Sequence, residues 1–198
     1  MTDPHEIDAD DPLELFDGWL REAEASEPND PNAAALATAS AQGEPSVRMV
    51  LVKRAAGHRF CFFTNVESRK GEQLAENPRA ALCFHWKSLR RQVRVAGTVS
   101  ALEGTDVDTY FHSRSRASQI GAAVSKQSGV LDSRRTLEEK VAAFEAAHPG
   151  EIPRPPFWRG FSLNVQQIEF WMDGLYRLHD RFLFTRDVDQ WRKVRLYP

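Results

Sequence analysis

From Leu13 the apolar positions fall at helical spacing: Leu13, Phe16, Leu20 and Ala23, with Trp19 beside them, form one stripe. Asp11 stands where a helix cap is wanted and Pro12 in the first turn. After the loop Glu27-Pro28-Asn29-Asp30-Pro31-Asn32 the pattern becomes strand-like, with candidate strands at 33–40, 46–54, 59–64, 79–86, 91–102, 161–173, 180–186 and 191–196. Gln42-Gly43-Glu44-Pro45 and Ala56-Gly57-His58 supply hairpin turns. Helices are predicted at 68–77, 104–112, 115–124 and 134–147, and the four prolines between Pro149 and Pro156 make a stiff loop. Short strands with few intervening helices point to a β-rich α+β fold built on an antiparallel barrel or sandwich. A doubly wound sheet is not expected, since neither GxGxxG nor GxxxxGK[ST] occurs.

The chain has 198 residues and a mass of 22.5 kDa, enough for one domain with a sizeable core. Residues 1–10 are acidic and nearly devoid of apolar groups, so they are expected to be disordered, with 11–198 as the single domain. No apolar run reaches the length of a membrane span, and the N-terminus lacks a basic-then-apolar signal pattern. The expected location is the cytoplasm, with no membrane partner. Cys61 and Cys83 lie in apolar runs without CxxC spacing and read as buried thiols. The net charge of −2 hides an uneven spread: residues 1–30 hold eleven carboxylates and one arginine, leaving a basic body. Those cations are dispersed among strands instead of gathered in a run, which favours small anions over nucleic acid.

Four clusters carry the candidate chemistry. Arg177-Leu178-His179-Asp180-Arg181 places two guanidiniums and an imidazole on alternate positions, which an extended chain projects to one side. Guanidinium groups match phosphates and stack on flat π-systems, and a histidine beside them can exchange a proton near neutral pH. In a continuous helix Tyr110, Arg114 and Ser118 recur every four residues and offer a phenol, a cation and a hydroxyl to a phosphate monoester. Arg48-Met49-Val50-Leu51-Val52-Lys53 is a strand with a cation at each end. Ser68 is placed to cap the helix that follows, beside Arg69 and Lys70, where backbone amides favour an anion. A solvated cationic edge explains any one cluster; four together imply more than one phosphate. The six histidines show no ligand spacing, so no metal is expected, and GxSxG is absent.

These stretches resemble the pyridoxamine/pyridoxine 5′-phosphate oxidase family. RMVLVK (48–53), FFTNVESRKGEQLAENP (62–78), RQVRVAG (91–97), YFHSRSRASQIGAAVSKQS (110–128), FWRGF (157–161) and IEFWMDGLYRLHDRF (168–182) run in the family's order. The resemblance implies an antiparallel FMN-binding split β-barrel with flanking helices, working as a homodimer. It implies an oxidase that turns pyridoxamine or pyridoxine 5′-phosphate and oxygen into pyridoxal 5′-phosphate and hydrogen peroxide. Flavin contacts carried over are Arg48, Met49, Val50, Leu51, Lys53, Phe63, Thr64, Ser68, Arg69, Lys70, Gln92, Gln127, Ser128, Trp171 and Arg181. Substrate contacts are Lys53, Tyr110, Arg114 and Ser118 for the phosphate, and Arg177, Leu178 and His179 at the ring, with Arg177 and His179 as the catalytic pair. Phe63 departs from the tyrosine of the family pattern. The alternatives are another split-barrel flavin reductase and a non-catalytic FMN- or pyridoxal-phosphate-binding module; the presence of Arg177 and His179 speaks for the oxidase.

Overall fold

The protein is described by a computed structural model over residues 6–55, 58–188 and 190–198. Helix α1 (Pro12–Ser26) begins as the sequence predicts, with the Asp11 side chain accepting from the Leu13 amide at 2.7 Å and proline in the first turn. Its stripe enters the core edge-on: the Phe16 ring lies 4.7 Å from Phe60 and 5.0 Å from Phe84, and Trp19 meets Phe170 at 5.0 Å.

The strands are β1 (Ala33–Ala39), β2 (Pro45–Leu51), β3 (Lys53–Ala55), β4 (His58–Asn65), β5 (Arg79–Trp86), β6 (Arg91–Ala101), β7 (Trp158–Met172), β8 (Asp180–Asp187) and β9 (Gln190–Leu196). They form one antiparallel sheet in the order β2-β1-β5-β6-β7-β4-β3, with β8 on β7 and β9 on β8. The end strands β2 and β3 are neighbours in the chain, separated by Val52 alone, so the sheet curls until its edges meet there. The single strand expected over 46–54 is therefore divided. The Val52 amide donates to Asn32 O and the Asn32 side chain donates to Val52 O, both at 2.9 Å. Those bonds tie Val52 to Asn32, one step beyond the last β1–β2 pair and in the same register, and its side chain is buried. Strand β7 serves two partners on one side, β4 along 158–162 and β8 along 167–172, while β6 runs beside both stretches.

Helices α2 (Arg69–Glu76), α3 (Asp106–Ser113), α4 (Arg116–Val124) and α5 (Arg134–Ala147) fall where the periodicity places them. Val107, Phe111, Ile120, Ile152 and Trp158 make a second, smaller core under α3 and α4. No helix among the described residues is long and apolar enough to cross a membrane. Cys61 and Cys83 form no disulfide.

One expectation at the N-terminus meets a different outcome. Residues 1–5 and the Ala56-Gly57 turn lie outside the described residues. Residues 6–10, read from their polarity as disordered, are held by packing: Ile7 is buried, Ala9 rests on the core, and Lys193 Nζ donates to Ile7 O at 2.6 Å. One isoleucine reaching apolar neighbours outweighs the acidic residues around it.

Helix α2 sits hard against the turn that precedes it. A Cβ at Gly71 would lie 2.2 Å from the Val66 carbonyl oxygen, a backbone atom with no rotamer to yield. Gly71→Ala is expected to cost about 1–3 kcal/mol in chemical denaturation; unchanged stability would show that α2 does not need this close approach.

Candidate functional site

Between β2, the end of β4, the start of α2 and the junction of α3 with α4 lies a cavity of about 660 Å³, in the range that holds small ligands. Four cations line it, Arg48, Arg69, Lys70 and Arg114, and its lining contains no Asp or Glu. Twelve of the residues expected from the sequence meet here: Met49, Val50, Leu51, Phe63, Thr64, Tyr110, Gln127 and Ser128 join the four cations.

The cations are held by neutral partners. Arg48 Nη1 donates to Leu36 O at 3.0 Å and Thr38 Oγ1 at 2.7 Å, and its Nη2 donates to Ser46 Oγ. Gln73 Oε1 accepts from Thr38 and Ser46, each at 2.6 Å, and so fixes both hydroxyls. Lys70 is buried, and its ammonium donates to Thr64 Oγ1 and Ser68 Oγ at 2.9 Å and Gln127 Oε1 at 2.8 Å. Burial, and then the neighbouring Arg48 charge, push the Lys70 pKa down to about 8. Burial and Arg69 likewise lower that of Arg48. Among the described residues none of Arg48, Arg69 and Lys70 pairs with a carboxylate. Such a cluster repels itself until an anion enters it.

Ser68 stands at the N-cap of α2, as expected, but its hydroxyl donates back to Asn65 O at 2.6 Å. The first-turn amide of Arg69 is taken instead by Ser128 Oγ at 3.2 Å, from a loop far along the chain. Ser68 thus lies behind Lys70, outside the cavity lining.

At the other side of the cavity the expected helical stripe is broken. Arg114 ends α3 with extended backbone (φ −77°, ψ 155°), and Ser115 opens α4, its hydroxyl 2.8 Å from that of Ser118. Ser118 is engaged in that cap and does not line the cavity; nor does Lys53, half-buried on β3. Arg114 rests on aromatic faces, 5.2 Å over Trp158 and 5.9 Å over Phe111. Its Nη1 is buried without a hydrogen-bond partner, a donor whose desolvation is uncompensated until an acceptor arrives. Burial pulls its pKa down, and Tyr110 opposes this. Phe63 packs 4.1 Å from Tyr110 and stacks on Trp158 at 5.2 Å, so the apolar ring completes the shelf under the phenol. Trp158 and Phe111 escaped the sequence reading as site residues, because a buried aromatic inside a helix or at the start of a strand looks like ordinary core.

The remaining expected residues stand apart from this cavity. Gln92, Trp171 and Arg181 are directly opposite one another on β6, β7 and β8, so they share one face of the sheet. Gln92 lines another cavity of about 760 Å³, which also touches Met49, Val50 and Leu51. Arg181 is anchored by the buried Glu169 at 3.0 Å and by Tyr197 O at 2.9 Å. Positions 177, 179 and 181 do not share a strand face, because Tyr176 (φ 55°) and Arg177 (φ 64°) turn through the left-handed region. Arg177 and Leu178 are exposed, and His179 packs on Trp171 with ring centroids 4.7 Å apart. Along β2, Val47, Met49 and Leu51 are 68%, 63% and 47% exposed, an apolar edge beside the cationic cavity. Among the described residues no group of three or more His, Cys, Asp or Glu is placed to hold a metal.

A sequence profile described as pyridoxamine 5′-phosphate oxidase matches residues 20–148, and one described as the pyridoxine 5′-phosphate oxidase C-terminal dimerisation region matches 158–198. The chain is 55% identical over 194 residues to a pyridoxine/pyridoxamine 5′-phosphate oxidase of Sinorhizobium fredii, covering 96% of this chain and 94% of that one. It is 56% identical over 196 residues to the protein of that name from Maricaulis maris, covering 97% and 88%. Among solved structures, PhzG from Burkholderia lata, in complex with tetrahydrophenazine-1-carboxylic acid, superposes with a TM-score of 0.91 at 30% identity over 100% of this chain and 98% of that one. A pyridoxamine 5′-phosphate oxidase-related, FMN-binding protein from Nostoc punctiforme shares the fold, with a TM-score of 0.76 at 19% identity over 96% and 100%.

The Lys70 environment has a pH signature. Its folded-state pKa of about 8 lies below the unfolded value of 10.5, so between those limits the unfolded chain binds the extra proton. Without ligand, stability should therefore rise with pH across that window. Affinity for inorganic phosphate should fall as pH passes about 8, since the bound anion prefers the ammonium. Both trends should be weaker in Lys70→Met, by denaturation and by calorimetric titration; identical profiles in the two proteins would refute the assignment.

Proposed function

The chain belongs to the pyridoxine/pyridoxamine 5′-phosphate oxidase family, and we propose that it is an FMN-dependent oxidase acting on the 5′-phosphates of pyridoxamine and pyridoxine. Oxygen is the final acceptor; the products are pyridoxal 5′-phosphate and hydrogen peroxide, and with the amine one water is consumed and ammonia released. The observation that carries this reading is a cavity with four cations and no carboxylate, one of them bearing a buried donor without a partner. FMN and substrate each bring a phosphate, and the cavity offers two separate grips.

In this assignment Arg48, Arg69 and Lys70 hold the flavin phosphate, the first and last pre-oriented by Thr38, Ser46, Thr64, Ser68 and Gln127. Arg114 and Tyr110 take the substrate phosphate, with Ser118 and Lys53 at its margin. FMN supplies the two-electron acceptor for the hydride that leaves the substrate's C4′ carbon. The side chains contribute position and charge: Arg177 clamps the pyridine ring, His179 hydrogen-bonds one of its polar substituents, and Gln92, Trp171 and Arg181 border the flavin. Gln92, Trp171, Arg177, His179 and Arg181 are absent from the cavity that holds the cations, so a second copy is needed to complete one site. The dimerisation-region match over 158–198 and the exposed apolar edge of β2 support a homodimer. Residues 11–198 then act as one flavin-binding domain.

FMN-loaded protein given pyridoxamine 5′-phosphate in air should release peroxide; a flavin-loaded protein that yields none with either substrate would refute the oxidase. Arg114→Ala should raise the Michaelis constant about 10–150-fold, the equivalent of one charge-assisted hydrogen bond. It should also erase the preference for phosphorylated over unphosphorylated pyridoxine while retaining flavin. Arg69→Ala should do the reverse, weakening FMN retention by a similar factor. If both variants show the same defect, the division into two phosphate grips is wrong.

A further inference from the structure

Two groups reach for the same nitrogen of His179. Asp173 Oδ1 lies 3.0 Å from His179 Nδ1, and the Gly174 amide nitrogen lies 3.2 Å from that same atom. They demand opposite proton placements: a carboxylate needs Nδ1–H, whereas an amide N–H needs Nδ1 bare. Asp173 is not free to withdraw. Its Oδ2 accepts from Arg90, and its own amide donates to Arg90 O at 3.1 Å. Gly174 is equally fixed, since a Cβ there would lie 2.0 Å from Leu178 O across the closed turn.

A carboxylate 3.0 Å from a bare ring nitrogen sets lone pair against lone pair. Moving the ring proton to Nδ1 converts that repulsion into a charge-assisted hydrogen bond, stronger than the neutral amide-to-imidazole bond it displaces. The Trp171 ring packs on the imidazole, and Nε2 has no partner among the described residues.

We propose that Asp173 is a positioning residue that sets the tautomer of His179, keeping the proton on Nδ1 and leaving Nε2 as a lone-pair acceptor for the substrate. The neutral ring then accepts a hydrogen bond from a hydroxyl or amine substituent of the pyridine. Arg177 nearby in the loop can only donate, so the two side chains become complementary. The proposal rests on His179 being a substrate contact, as assigned above.

The test uses the FMN-loaded full-length protein labelled with 15N-histidine, read by two-bond nitrogen–proton correlation at a pH of about 8, above the ordinary imidazole range. Wild type should show His179 protonated at Nδ1. In Asp173→Ala the proton should move to Nε2 as the Gly174 amide takes Nδ1, and Asp173→Asn, whose amide oxygen still accepts, should keep the wild-type pattern. An Nε2–H ring in wild type, or no change in Asp173→Ala, overturns the proposal. In kinetics, Asp173→Ala should lower kcat/KM about 10–100-fold, the scale of an orienting partner's loss, with Asp173→Asn recovering most of it. In a His179→Ala background the same substitution should have no further effect; an equal further loss there would mean that Asp173 acts only on structure. Wild-type kinetics in His179→Ala alone would refute His179 as a substrate contact, and the spectra would still decide whether Asp173 sets its tautomer.

Discussion

Positive charge buried without negative charge is the constraint around which this molecule is arranged. Arg48, Lys70 and Arg114 are all drawn partly out of water, and burial is the first cause of the lowered pKa of each. An adjacent carboxylate would relieve the cost and also occupy the place of a ligand. The chain answers with neutral acceptors and π faces. Thr38, Ser46 and the Leu36 carbonyl take Arg48; Thr64, Ser68 and Gln127 take Lys70; Trp158 and Phe111 lie beneath Arg114. Each partner orients its cation without neutralising it, the preorganisation that anion binding requires.

The barrel exists in the form that this arrangement needs. Dividing the expected strand at Val52 leaves Arg48 on β2, paired with β1, and sends the chain on to β4, whose end carries Phe63 and Thr64. Gly71 lets α2 approach Val66 so that Lys70 reaches Thr64, and Ser128 satisfies the first amide of that helix from across the cavity. The second core under α3 and α4 does the same for Arg114, because Phe111 and Trp158 are at once its floor and members of that core.

Along β6, β7 and β8 another electrostatic rule holds. There carboxylates are present, and each positions a base or cation: Glu169 holds Arg181, with Arg94 Nη2 3.6 Å away, and Asp173 joins Arg90 to His179. These charges are paired with carboxylates, while those lining the cationic cavity have none beside them. That contrast fits a site assembled from two halves with different tasks, one gripping anions and the other presenting rings and edges.

The sequence by itself determined the elements, since helix and strand periods and the Asp11-Pro12 cap depend on neighbours a few residues away. It also made the candidate chemistry legible, because RLHDRF and the run from Tyr110 to Ser128 carry theirs in their side chains. What it misjudged were relations between distant segments. Val52 is held by Asn32, the amide of Arg69 by Ser128, and the order of residues 6–10 depends on a core that Ile7 finds only in the folded chain. Tyr110, Arg114 and Ser118 looked like one helical stripe, yet Ser115 caps a new helix and turns Arg114 onto Trp158, a residue 44 positions further on. The tertiary structure alone decided which cations go without carboxylates and which nitrogen of His179 meets one, because burial and long-range pairing, not local propensity, set the electrostatics of a site.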